Sequence, residues 1–168
     1  MLSSIIVIPI YKSLPNTYEM VSYARFLKIM NTHQVCFVTH KELDITWYTK
    51  QLTERCIPFE VAFFDEKYFK SVSNYSKLLL SKKFYQAFVA YNYLLIFQLD
   101  VYIFKDSLED WIQKGYSYIG APWILKKENE FIVSKQLMWL RLVSQEATKH
   151  SWKFRLSQPS ILAEDCSI

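Results

Sequence analysis

The chain has 168 residues, 51% hydrophobic and 17% aromatic, which is ample material for one packed domain and too apolar for a disordered chain. Twenty Lys and Arg against 16 Asp and Glu leave a net charge of +4. That balance suits an anionic ligand or an acidic surface and falls well short of a basic nucleic-acid stripe.

From the start, "MLSSIIVIPIYK" has no basic leader, and its apolar stretch is short, so it reads as a first strand rather than a signal peptide. The β-branched run "SIIVIPIY" (4–11) closes in the turn-rich "KSLPN", and Asn16 or Thr17 is placed to cap a helix reaching about Met30. "QVCFVT" (34–39) is a second strand. Leu43 to Cys56 is a second helix, stopped before Pro58, and "FEVAFF" (59–64) is a third strand. Leu80, Phe84, Phe88 and Tyr91 share one face at helical spacing, which predicts a third helix over 77–91.

Asn92 ends that helix and "YLLIFQL" follows as a fourth strand. In "KDSLEDWIQKG", Ser107 caps a short helix, Asp110 stands three residues later, and Gly115 supplies the stop. "YSYIGAPW" is a fifth extended segment. Beyond Trp123, "ILKKENE" reads as a loop, and Val133, Leu137, Leu140 and Val143 predict a helix over 133–149 laid against the sheet edge. Residues 124–168 carry seven Lys and Arg against five Asp and Glu.

Continuously apolar strands alternating with helices imply an α/β fold: a Rossmann-like, mostly parallel sheet with helices on both faces. The expected organisation is a single domain over 1–168. No run reaches 18 apolar residues, so no membrane span is expected. Cys36, Cys56 and Cys166 show no CxxC or Cys/His cluster, so zinc is not expected; Cys36 reads as a reduced core thiol and the compartment as cytoplasmic.

In open α/β sheets, ligands bind outside the carboxyl ends of the strands. Asp100 stands where the fourth strand ends, so its carboxylate can face the crevice instead of the core. There it can ligate Mg²⁺ or Mn²⁺, accept a bond from a ribose hydroxyl, or simply be held by a Lys or backbone amides. Gln98 lies two residues earlier and can steady that carboxylate or a neighbouring loop. Gly120 permits close approach of a ligand or of backbone, and Trp123 is a sugar platform or a plug at the sheet edge. His33, His40 and His150 are unclustered and support neither a metal site nor a relay; Asp106 reads as a turn or cap group. With glycine only at positions 115 and 120, a GxGxxG dinucleotide turn after the first strand does not exist.

The segments "IIVIPIYK", "SNYSKLLLSKKFYQAF" and "YLLIFQLDVYIFKDSLEDWIQKGYSYIGAPW" resemble a bacterial family of proposed glycosyltransferases, catalogued as a domain of unknown function and similar to the GT-A fold of nucleotide-sugar transferases. The resemblance covers about 4–123 and is densest over 74–123. It implies a nucleotide-diphosphate sugar donor and a glycan or other hydroxyl acceptor; a nucleic-acid partner is not expected, because the sequence shows no basic, aromatic-interleaved groove motif. Residues 1–123 would form the nucleotide-sugar-binding core, and 124–168 an acceptor-side segment that is divergent or cut short. Asp100 takes the place of the family's metal-binding DxD. Here the motif reads Asp100-Val101-Tyr102, a single-carboxylate site for Mn²⁺ or Mg²⁺.

By the same resemblance Pro9, Tyr11 and Lys12 border the nucleotide, the ring on the base and the amine on a phosphate; from the residues alone Lys12 is an ordinary exposed lysine. Tyr75 is either at the phosphate end of its helix or a packing aromatic. Glu164 and Asp165 match a late acidic pair in which one acid is the general base. The family's glycine-rich segment between these blocks is missing, since no glycine follows Gly120. The competing expectation is therefore a catalytically degenerate transferase-like domain that binds or assembles.

Overall fold

A strand buried on both faces must be apolar at every position, and Ile5, Ile6, Val7 and Ile8 meet that demand. In the computed structural model, which describes residues 2–127 and 130–145, they lie in β1 (Ser4–Pro9) at the centre of a six-stranded sheet. The other elements are α1 (Thr17–Ile29), β2 (Val35–Thr39), α2 (Thr46–Thr53), β3 (Phe59–Phe63), a 3₁₀ turn (Glu66–Phe69), α3 (Val72–Leu79), α4 (Lys82–Gln86), β4 (Tyr93–Ile96), α5 (Leu108–Gln113), β5 (Tyr118–Lys127) and β6 (Glu130–Ser144). The strand order is β3-β2-β1-β4-β6-β5. β1 pairs in parallel with β2 and β4, and β2 with β3, while β6 runs antiparallel to both of its neighbours. The α/β sheet expected from the sequence is the one the chain adopts.

Strand alternation divides the core in two. Ile6, Ile8, Phe37 and Leu95 pack under α1, α2 and α5, where the rings of Phe26 and Phe97 stack at 4.9 Å. Ile5, Val7, Val38 and Leu94 point to the opposite face, under Leu78 and Leu79 of α3 and Phe84 of α4. Cys36 is buried in this second core, and desolvation there, with Glu60 adding to it, pushes its thiol up to about 12.

Four expectations are corrected. The helix expected over 77–91 is two short helices, α3 and α4. Ser81 breaks it: its hydroxyl donates to the Leu78 carbonyl (2.7 Å) and accepts from the Phe84 amide (3.3 Å), beside the backbone bonds to the same two groups, so it closes one helix and caps the next. The helix expected over 133–149 is instead β6 through Ser144, and the loop expected after Trp123 is the continuation of β5 to Lys127. Without β6 the hydrogen-bonding edge of β4 would be bare. Leu142 and Val143, consecutive in sequence, are both buried, as alternation in an internal strand allows. The cap of α5 also differs. Ser107 makes no side-chain cap bond, and the Asp106 carboxylate accepts from the Leu108 amide (3.1 Å). Gly115 does end that segment, with φ at 70°.

Candidate functional site

The strand order steps outward from β1 in both directions, to β2 and to β4, and the carboxyl ends of β1 and β4 open on one cavity of about 380 Å³. That size accommodates a small ligand. Its floor is Pro9 and Ile10, both buried, and its walls come from the loop after β1, the start of α1, α3 and the chain leaving β4.

The β1–α1 loop is held by one carboxylate. Glu19 closes a capping box on α1: its amide donates to Asn16 Oδ1 (2.9 Å), and its Oε2 accepts from the Asn16 amide (2.8 Å). The same oxygen lies 2.6 Å from Lys12 Nζ, and Oε1 accepts from the Tyr11 hydroxyl at 3.4 Å. Glu19 is buried and Lys12 half-buried. Desolvation alone would pull the Lys12 amine down, but the bond to Glu19, with Tyr11 beside it, raises it above its ordinary value. Tyr48 of α2 adds a bond from its hydroxyl to the Lys12 carbonyl (3.2 Å). The Tyr11 ring is left largely exposed at the mouth.

The opposite wall is the chain leaving β4. After Ile96 it turns, the Val101 amide donating to the Gln98 carbonyl (3.1 Å). It then runs along α1 without regular structure: Ser22 donates its hydroxyl to the Val101 carbonyl, and Arg25 donates to the Ile103 and Phe104 carbonyls, both at 2.9 Å. Tyr102, where a second acid would stand, lies 5.6 Å under the Arg25 guanidinium, outside the cavity lining. His33 Nε2 meets Asp106 Oδ2 at 2.7 Å and fastens the far end of this segment.

This clamping delivers Asp100 to the mouth. Its side chain is exposed and makes no ion pair among the described residues. Partial desolvation raises its carboxyl above the ordinary value, and the charge of Glu19 raises it further, against the pull of its own backbone amide. Gln98 does not reach the Asp100 carboxylate; its amide donates to the Tyr75 hydroxyl (2.9 Å), tying α3 to the β4 exit.

Six residues singled out in the sequence, Pro9, Tyr11, Lys12, Tyr75, Gln98 and Asp100, therefore line one cavity. Gly120 and Trp123 are both in β5, separated from β4 in the sheet by β6, with Gly120 opposite Arg141 and Trp123 opposite Ser134. Glu164 and Asp165 lie outside the described residues. Sequence reasoning missed Glu19, although the Asn16-x-x-Glu19 spacing of a capping box marks it. It also missed Tyr48, which reaches the cavity from α2, and the Phe69–Val72 segment, where Phe69 packs on the His40 ring.

The family model described as "Protein of unknown function (DUF5672)" matches residues 58–153, more than half of the chain. Among solved structures, the chain is similar to the mannosyltransferase Ktr4p from S. cerevisiae in complex with GDP, at 12% identity and a TM-score of 0.47. That alignment covers 75% of this chain and 41% of the yeast protein, so the chain spans about two fifths of its length. No curated protein matches.

Proposed function

Because the chain belongs to the DUF5672 family of proteins of unknown function, we propose an activity read from the site itself: a glycosyltransferase that moves a sugar from a nucleotide-diphosphate donor to a hydroxyl acceptor in glycan synthesis. The observation that carries it is the gathering of Tyr11, Lys12 and Asp100 around one cavity at the carboxyl ends of β1 and β4. In this reading the exposed Tyr11 ring stacks on the base, and Lys12 turns from Glu19 to the diphosphate. Tyr75 and Gln98 brace the wall facing them.

The donor set also fits a divalent cation. Mg²⁺ and Mn²⁺ take oxygen ligands, commonly one or two carboxylates completed by substrate phosphates. Among the described residues no group of three His, Cys, Asp or Glu could hold a metal unaided. Asp100, exposed and repelled by Glu19, is the carboxylate a cation would relieve. When bound there, Mn²⁺ or Mg²⁺ supplies charge neutralisation for the departing nucleotide diphosphate. Glu164 or Asp165 is assigned as the base that takes the acceptor's proton.

The test is calorimetric titration with UDP and with GDP, with and without Mn²⁺. Mn²⁺ should strengthen nucleotide binding, and Asp100→Asn should remove that gain; identical affinity in the variant would eliminate Asp100 as the cation's ligand. A second reading, a degenerate domain that binds without transferring, is favoured by the absence of any glycine after Gly120. Transfer or hydrolysis of a sugar nucleotide by the purified chain excludes that reading.

A further inference from the structure

Residues 67–99 contain five lysines and no Asp or Glu, while the rest of the chain sets 15 Lys and Arg against 16 Asp and Glu. The whole positive excess of the protein therefore falls in the segment that builds α3 and α4. Leu78, Leu79, Phe84 and Phe88 of this segment turn inward to the second core. The opposite side of the same helices carries Lys77, Lys82 and Lys83, all exposed. Leu80, 56% exposed, stands between Lys77 and Lys82 in the sequence, and Val89 is 63% exposed beyond them.

Among the described residues, two lysines at the rim of this layer pair with carboxylates. Lys67 pairs with Asp65 at 2.9 Å and Lys70 with Glu66 at 3.3 Å. The bonds from Lys67 hold the Asp65 carboxyl below its usual range, and Lys83 contributes at longer reach. No acid lies on α3 or α4 themselves.

We propose that the outer face of α3 and α4 is a docking surface for an anionic lipid bilayer. Lysines at the level of the headgroups and aliphatic side chains entering the interface are the combination that holds a protein on a charged membrane. The contact is peripheral, since no helix among the described residues is long and apolar enough to cross. A single-stranded nucleic acid would call for aromatic rings to stack on its bases, whereas the exposed large apolar side chains of this segment are the aliphatic Val72, Leu80 and Val89. The face borders the cavity, because Lys70 and Val72 line its mouth.

The experiment is co-sedimentation of the full chain with vesicles of phosphatidylcholine alone and of phosphatidylcholine mixed with phosphatidylglycerol. Binding is expected to the mixed vesicles only, and to weaken with salt. Each lysine near such a surface contributes about fivefold in affinity, so the triple variant Lys77→Gln, Lys82→Gln, Lys83→Gln should bind at least roughly tenfold more weakly. Leu80→Ser should lower binding and leave its salt dependence in place. All four positions are exposed, and unchanged thermal midpoints establish that the variants fold. Equal binding to neutral vesicles, an unaffected triple variant, or full displacement by a short single-stranded oligonucleotide overturns the proposal. Asp100→Asn should bind vesicles as the parent does, which separates this result from the fate of the transferase reading.

Discussion

The two faces of the sheet are built to different standards. Under α1, α2 and α5, aromatic rings interlock: Tyr23 lies 5.6 Å from Tyr48 and 5.8 Å from Trp47, and its buried hydroxyl donates to the Tyr48 carbonyl at 2.9 Å. Three turns of α1 then fasten the site, through Glu19 to the β1 loop and through Ser22 and Arg25 to the chain leaving β4. Under α3 and α4 the core is smaller among the described residues, its two helices are short, and their outer side is lysine-rich. One face fastens the loop after β1 and the chain leaving β4; the other lends Val72 and Tyr75 to the cavity wall and carries exposed lysines on its outer side. Positioning polar groups around a cavity demands packed, hydrogen-bonded support, whereas attraction to a charged plane tolerates loose side chains.

The sharpest way to break this contrast is to hollow out each core. Phe26→Ala should cost about 3–5 kcal/mol in urea unfolding, because its ring is fully buried against Tyr23 and Phe97. Phe84→Ala should fall near the lower end of that range, since two short helices can settle into the gap more readily. A larger loss at Phe84 than at Phe26 would reverse the ranking of the faces.

Next in size is Arg25→Ala, which removes two charged hydrogen bonds at 2.9 Å from the Asp100-bearing segment. A loss of about 1–2 kcal/mol in stability is expected, accompanied by weaker Mn²⁺-dependent nucleotide binding. Loss of stability with binding intact would mean that α1 supports the fold and not the site.

Asp100→Asn should weaken Mn²⁺-dependent binding about tenfold, or ~1.4 kcal/mol, without destabilising the protein at pH 7. The sign follows from linkage. A carboxyl whose folded pKa is raised favours the native state when protonated, and that contribution is lost as pH rises through the folded value. The variant should therefore be at least as stable as the parent at neutral pH, and the difference should vanish as pH falls towards 3.8. Urea titrations at several pH values check this, and a variant less stable at pH 7 would contradict it.

Smallest is Glu19→Gln. Glutamine keeps the capping box but releases Lys12 from its ion pair. Nucleotide diphosphates should bind severalfold more tightly. The Lys12 amine, raised in the parent by Glu19, should titrate at lower pH by NMR. Weaker nucleotide binding would place Glu19 among the groups that touch the ligand.

Much of this was legible beforehand where local and global demands agree. The parallel strands declare themselves because burial on both faces leaves no room for polar residues, as in Ile5–Ile8. Asn16 caps α1 as expected, and Gly115 ends the helical segment after Leu108. The end of the fourth strand placed Asp100 at the crevice and the family resemblance set Tyr11 and Lys12 beside it; the three meet at one cavity because parallel strands side by side share a carboxyl edge. Legibility failed at Val133–Ser144, where apolar spacing fits a helix, yet Arg141–Ser144 pairs with the open edge of β4 and the stretch before it with β5. It failed again at Ser81, whose hydroxyl splits one apparent helix in two.

What the sequence determined by itself is the α/β alternation, the parallel core and the delivery of Asp100 to a strand exit. These follow from side-chain volume, polarity and backbone geometry read a few residues at a time. Tertiary structure alone decided that Glu19 holds Lys12, that α1 clamps the chain past Asp100 while Tyr102 is drawn aside by Arg25, and that Gly120 and Trp123 stand beyond β6. Each is a contact or separation between groups distant in the chain, set by which strands pair and which helix packs over them, and nothing local encodes that choice.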